Sequence, residues 1–258
     1  MDAIITAGGI PLPGEPLYEY TRGGSKAMLD LAGKPMIQWV LDAISKSPKI
    51  NHIIVIGLTE LGGITCPKPI TFLANQKDML ANINTGLDAL KRFQTGSEYA
   101  LLAASDVPGI TTEMVNWMVD EVESSPADIY YQVITREAME EKFPTSRRTY
   151  TRVKDMEICG GDVNAVRVNL DPNVNHMWEQ LIASRKNPIK QASILGLNVL
   201  SGLLFRSATI DELAKMICKR LKITGKVVRC PYAEMGMDVD KPHQLEIMRH
   251  YLSRRSAA

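Results

Sequence analysis

The chain carries little that would draw it to a polyanion. Lysine and arginine number 30 against 29 acidic residues, a formal net charge of +1, so nothing in the balance calls for nucleic acid or an anionic membrane surface. Cysteine is scarce and scattered. Cys66, Cys159, Cys218 and Cys230 form no C-x-x-C pair and no Cys/His cluster, which excludes a zinc site and a disulfide framework and leaves free thiols in a reducing compartment. His52, His176, His243 and His250 have no metal-ligand spacing. The opening residues lack the basic and apolar regions of a secretory leader, and the expectation is a cytoplasmic protein. The strongly apolar stretch 192–205 falls short of the roughly 20 residues a bilayer span needs. It reads as a buried helix or as a contact between copies of the chain, with a lipid-proximal pocket as the lesser alternative. There is no internal repeat. The 258 residues, 45% of them hydrophobic, suit one domain with a sizeable core.

What the chain does have is concentrated in residues 1–36. Ile4 and Ile5 are β-branched and read as a buried strand. The small-residue turn Thr6-Ala7-Gly8-Gly9 follows at once. Glycines without a Cβ allow a sharp turn and a close approach of backbone to a ligand, and exposed N–H groups at a strand end make an anion cradle. A polar loop over 10–25, with three prolines and three glycines, ends at Lys26, whose ammonium could neutralise a polyphosphate. The plainer reading is a tight β–α turn and a solvated lysine.

Beyond this stretch the pattern is βαβα. Strands are expected over 52–57, 70–74, 99–105 and 128–135, and helices over 36–45, 78–93, 111–123 and 242–252. That rhythm predicts an α/β fold, a mostly parallel sheet with helices on both faces. Residues 177–219 read as helical, and 139–228 as a helical insertion on the acceptor side of one domain spanning 1–258.

Two acidic motifs stand out. Ser105-Asp106-Val107-Pro108 closes the central strand, and ligands of open α/β sheets bind beyond the carboxyl ends of strands. A carboxylate beside a triphosphate calls for a divalent cation between them. Asp-x-Pro is also good turn chemistry. Gly236-Met237-Asp238-Val239-Asp240-Lys241-Pro242 precedes the last helix. In a strand Asp238 and Asp240 would share a face. The alternative is that Asp240 only caps the helix. Fainter signals are Gln76 and Asn82 at a strand–helix junction, Arg148 and Arg152 in a basic run, and Gly161, Asp162 and Asn164 after Cys159-Gly160. Each has a plain reading as helix-start amides, solvated arginines or a turn.

The order strand–Ala-Gly-Gly–loop–Lys, followed by Gly33-Lys34-Pro35-Met36-Ile37 and a helix, resembles the signature of the nucleotidyltransferase superfamily. This group includes the sugar-nucleotide, cytidylyl and MobA-like molybdenum-cofactor guanylyl transferases, with a glycosyltransferase-A-like Rossmann fold. The resemblance implies a nucleotide held by Ala7, Gly8 and Gly9, phosphates contacted by Lys26, and base or ribose read by Gln76 and Asn82. It implies Mg²⁺, or Mn²⁺, on Asp106 and Asp240 with Asp238 beside them, and Lys26 and Asp106 as the catalytic pair. An acceptor pocket would be lined by Gly161, Asp162 and Asn164, with Arg148 holding an acceptor phosphate. The family loop usually carries G-x-G-x-R; here Ile10-Pro11-Leu12-Pro13 stands in its place and an arginine appears only at Arg22. The expected activity moves a nucleoside monophosphate from a nucleoside triphosphate to a phosphorylated small molecule and releases pyrophosphate. A glycosyltransferase of the same fold is one rival, although the central strand carries no D-x-D. A catalytically inactive nucleotide sensor is the other.

Overall fold

Ile4 and Ile5 lie in the middle of a nine-stranded sheet. The computed structural model describes residues 1–59, 62–76, 78–170, 199, 201–202 and 205–257. Strand β1 (Asp2–Thr6) is parallel to β4 (Ile53–Ile56) on one side and to β6 (Tyr99–Ala104) on the other, and β5 (Ile70–Leu73) extends the parallel run beyond β4. A separate two-strand ribbon, β2 (Asp30–Leu31) and β3 (Lys34–Pro35), leads into the first long helix. The central strands read as unbroken apolar runs because both their faces are covered. Ala3 and Ile5 point into one core cluster while Ile4, Ile54 and Ile56 point into the other.

The larger cluster packs α2 (Met36–Ser45), α4 (Thr112–Ser124) and α7 (Pro242–Ala257) against the sheet, and α3 (Met79–Phe93) covers the opposite face of β1, β4 and β6. A short helix α1 (Tyr18–Thr21) lies in the loop after β1. Helix starts follow their caps: Asp78 accepts from Ala81 N at 3.0 Å and Thr111 from Met114 N at 3.3 Å, satisfying amides that the first turn leaves without partners.

The second half of the sheet is mixed. The order is β5-β4-β1-β6-β10-β7-β9-β8, with β11 pairing β7. Strand β10 (Val163–Arg167) runs antiparallel between β6 and β7 (Ile129–Thr135), and β9 (Glu157–Gly160) is antiparallel to the far half of β7. Residues 157–167 therefore leave β7 at a kink and enter the gap beside β6. Between 139 and 228 the described residues carry β8 (Thr151–Arg152), β9, β10 and β11 (Gly225–Arg229) as well as helix α6 (Ile210–Leu221). This stretch thus completes the sheet as well as adding helix, following α5 (Arg136–Lys142). Val163 and Ala165 face one cluster and Val166 the other, a period-2 pattern that makes β10 a strand. Of the expected helix over 177–219, the described residues include helical Val199, Ser201 and Gly202 and the start of α6 at Ile210; residues 177–198, and most of the stretch 192–205 read as a buried helix or a contact between copies, lie outside them. Among the described residues no helix is long and apolar enough to cross a membrane.

Candidate active site

Backbone bonds stitch several chain segments together at the carboxyl edge of β1 and β6. Ser105 N donates to Thr6 O (3.0 Å), Ala104 N to Asp162 O (3.1 Å), Asp162 N to Met235 O (2.8 Å) and Val239 N to Asp106 O (2.9 Å). The last of these fixes the stretch carrying Asp238 and Asp240 beside Asp106. Residues 237–240 belong to no strand; Val239 is fully buried, and the aspartates on either side of it both enter one ionic cluster.

That cluster has two bases and four acids. Lys26 Nζ bonds Asp240 Oδ1 at 2.5 Å and also pairs with Asp106 Oδ2. Arg148 Nη1 pairs with Asp238, and its Nη2 lies 4.0 Å from Asp162 Oδ2. Lys26 and Asp106 side chains are only 15% and 17% exposed, whereas Asp240 is 54% exposed, so the group opens to solvent on the Asp240 side. Burial works against the charge on Lys26, but the two carboxylates outweigh it and hold its pKa above the ordinary lysine value. Burial likewise opposes ionisation of Asp240, yet Lys26 keeps its pKa below the usual carboxylate value. The other two acids go the opposite way. Burial, reinforced by Asp238 and Asp106, pushes Asp162 up to about 8. Burial also raises Asp238 to about 7, against the pull of Arg148. Asp162 Oδ2 and Arg148 Nε are buried without a hydrogen-bond partner among the described residues.

The glycine turn borders this cluster. Ala7 N is engaged by Ile56 O at 2.7 Å, so the turn's open donors are those of Gly8 and Gly9, which meet no acceptor among the described residues. Lys26 N donates to Gly9 O at 2.8 Å, closing the 10–25 loop on itself and bringing the lysine to the turn. Glycine is required at 57, where φ is +110° and a Cβ would collide with the backbone of Gly8. At Gly8 a Cβ would strike the Asn75 side chain, whose Nδ2 donates to Gly8 O at 3.3 Å. A cavity of about 400 Å³ lies between the loop and the cluster, lined by Gly9, Ile10, Leu17, Lys26, Asp240 and Lys241 among others.

Asn82 is buried under the 74–76 turn. It accepts from Gln76 N (2.7 Å) and donates to Asn75 Oδ1 (3.0 Å), so it braces the turn, while Gln76 and Asn75 stand exposed at its surface. Asn164 ties the β9–β10 kink, accepting from Gln132 N (2.8 Å) and donating to Gly161 O (3.0 Å). Gly161 packs on Gln132, where a Cβ would meet its side chain. On this side a second cavity of about 340 Å³ is lined by Thr6, Met79, Tyr131, Arg148, Asp162 and Asn164 among others. Arg22 is exposed at the end of α1, and Arg152 is exposed in β8. Sequence reasoning did not single out Asn75, Gly57, Lys241 or Tyr131.

A divalent cation fits these residues. Asp106 Oδ2 and Asp240 Oδ1 already converge on one cationic atom, and four carboxylates face two bases. Among the described residues no three His, Cys, Asp or Glu side chains form a ready cage, but Mg²⁺ beside a nucleotide takes one or two carboxylates and completes its shell with phosphate and water.

An open sheet that brings a glycine turn, a lysine and paired aspartates to its carboxyl edge has the α/β architecture whose ligands bind beyond the strand ends. Residues 3–221 match the MobA-like NTP transferase domain, and the chain belongs to that family. It is 26% identical over 142 residues to a probable molybdenum cofactor guanylyltransferase of Natranaerobius thermophilus, covering 52% of this chain and spanning 61% of that relative's length. A hypothetical transferase from Thermus thermophilus superposes with a TM-score of 0.81 at 28% identity, covering 95% of this chain and 98% of the other. The fold is shared at TM-score 0.60, over 98% of both chains, with a CMP:2-keto-3-deoxy-manno-octonic acid synthetase complexed with CTP (15% identical) and with the 4-diphosphocytidyl-2C-methyl-D-erythritol synthase of Anaerococcus prevotii (14% identical).

Proposed function

We propose that this enzyme transfers a nucleoside monophosphate from a nucleoside triphosphate to a phosphorylated small-molecule acceptor, releasing pyrophosphate, with a divalent cation, Mg²⁺ or Mn²⁺, on Asp106 and Asp240. The observation that carries this reading is the meeting of Lys26, Asp106 and Asp240 beside the Gly8–Gly9 turn. The three residues come from distant parts of the chain and serve no fold element in common.

The base and ribose lie against the 74–76 turn, where Gln76 and Asn75 offer side-chain amides and Asn82 holds the backbone. The Gly8 and Gly9 amides take phosphate oxygens. Lys26 and Lys241 line the 400 Å³ cavity that receives the departing pyrophosphate end, where their ammonium groups neutralise its growing charge. The cation, when bound, withdraws charge from the phosphate oxygens and so favours attack at the α-phosphorus. The acceptor occupies the 340 Å³ cavity by the β9–β10 kink, with Gly161 and Asp162 as its wall and Asn164 fixing the kink's shape. Arg148 is the base on that side. It is already shared between Asp238 and Asp162, so an acceptor phosphate would have to compete with both. The four cysteines are free, in keeping with a reducing, cytoplasmic setting.

A thermal-shift screen of CTP, GTP, UTP and ATP, each with and without Mg²⁺, on the wild type and on Asp106→Asn tests this directly. A Mg²⁺-dependent stabilisation by one nucleotide that disappears in the variant is the expected result. No shift with any of the four would overturn the reading. Pyrophosphate release on adding acceptor then separates nucleotidyl transfer from sugar transfer.

A further inference from the structure

Resting on that reading, we infer that Lys26 is a gate on the cation site: its ammonium and a divalent cation exclude each other from the Asp106–Asp240 pair, so the cation is admitted together with the polyphosphate that draws Lys26 away.

The geometry argues this in three steps. First, Lys26 Nζ is bonded at once to Asp106 Oδ2 and Asp240 Oδ1, the two oxygens that would ligate the cation. An ammonium between two carboxylates and a divalent ion on the same oxygens cannot coexist, because each cation needs those lone pairs and repels the other. Second, Lys26 can move without disturbing the fold. Its main chain is pinned by the bond from its N–H to Gly9 O, while the side chain is a flexible four-carbon stem. Its Cβ stands beside Gly9, where an added Cβ would meet it only at an ordinary 3.8 Å. Third, the stem has somewhere to go. The cavity beside it is lined by Lys26 itself and by Gly9, Asp240 and Lys241. A polyphosphate there offers Lys26 as many anionic oxygens as it leaves behind. Free metal brings no such anion, so Lys26 would exchange both carboxylate partners for water alone.

The consequence is positive coupling between nucleotide and metal that is seated in one side chain. A site whose ligands are held by an internal competitor shows an affinity reduced by the fraction of time it is open, and by linkage the nucleotide and the metal must then raise each other's affinity equally.

The test uses Mn²⁺ alone as the probe, with free Mn²⁺ counted by electron paramagnetic resonance. It is run on the wild type, on Lys26→Met and Lys26→Gln, and on Asp106→Asn, with and without a non-cleavable α,β-methylene analogue of the nucleotide selected above. Wild type is expected to bind Mn²⁺ weakly alone and about tenfold or more tightly with the analogue. Both lysine variants should bind Mn²⁺ alone about tenfold more tightly than wild type and lose most of the analogue's enhancement. The two substitutions remove the charge with different stems, so a folding defect in one leaves the other to decide. Lysine variants that match wild type for Mn²⁺ alone overturn the gate. If Asp106→Asn leaves Mn²⁺ binding unchanged, the cation site itself falls.

Discussion

Two acidic centres in this molecule are built on opposite principles. At the start of β7, Asp128 accepts hydrogen bonds from Thr224 N (2.8 Å), Thr224 Oγ1 (2.7 Å) and Arg167 Nε (3.1 Å). Burial disfavours its charge, but these donors prevail and its pKa lies below the ordinary value. At the carboxyl edge of the sheet, Asp162 and Asp238 share one arginine, Asp162 Oδ2 has no hydrogen-bond partner among the described residues, and both pKa values are raised. The first centre is satisfied by the chain alone and holds β11 against β7. The second has more acid than the chain neutralises. That imbalance is what a site for a cation or a donor-bearing ligand looks like from the protein's side, and it is the kind of local instability that folds retain only where function needs it.

The comparison is broken most directly at Asp106. Asp106→Asn should reduce pyrophosphate release by about 10²–10³ while leaving the thermal midpoint unchanged or higher, because one of four acids is removed and Lys26 keeps Asp240. A large fall in midpoint with activity retained would make the cluster structural. The next effect is smaller and opposite in sign to most substitutions. A carboxyl whose folded pKa is raised favours the fold when protonated, and that advantage is lost as pH rises from 3.8 to about 8. Asp162→Asn cannot ionise. It should therefore be more stable than wild type at pH 8, by about 1–3 kcal/mol after allowing for partial exposure, and no more stable near pH 4. Urea unfolding at the two pH values reads this. The same variant should turn over its acceptor more slowly, the trade between stability and activity expected of a functional group.

Much of this was legible in the chain itself. The β-branched runs gave the central parallel strands, and the helices expected over 78–93 and 111–123 lie within a residue of those the structure has. Lys26, Asp106 and Asp240, which the structure brings together, could be singled out because each sits in a short local pattern that resembles the family's: a lysine closing a glycine loop, an acid closing a strand, an acid ahead of a helix-starting proline. What could not be read were relations across long sequence separations. Arg148 and Asp238 are ninety residues apart, and nothing local in either says that the arginine is a partner of that acid before it is anything else. Asn75 looks like any loop amide until Gly8 is seen packed on it, and Asn82 looks like a base reader until its polar atoms are traced to the 74–76 turn. The antiparallel insertion of β10 was hidden by Gly160-Gly161, which break one bent strand into two short runs. The kink they make is also what delivers Asp162 to the cluster, so the feature that obscured the topology is the one that builds that side of the ionic cluster.

The smallest predicted effect is the sharpest check on the contrast. Asp128 has a depressed pKa, so its ionised form stabilises the fold. That contribution is present above 3.8 and is lost as pH falls through the lower folded value. Asp128→Asn should cost about 1 kcal/mol at pH 7, the scale of hydrogen bonds to a charged acceptor reduced to neutral ones, and the gap to wild type should close as pH falls through the lowered pKa of the folded state. Its activity should match wild type, because Asp128 touches no residue of the cluster. Across the same pH range, then, the two asparagine variants should diverge from wild type in opposite directions: the Asp162 variant gaining as pH rises and the Asp128 variant losing. If both lost stability at pH 7 and above, Asp162 would be as well satisfied as Asp128, and the electrostatic case for a ligand at the β9–β10 kink would go with it.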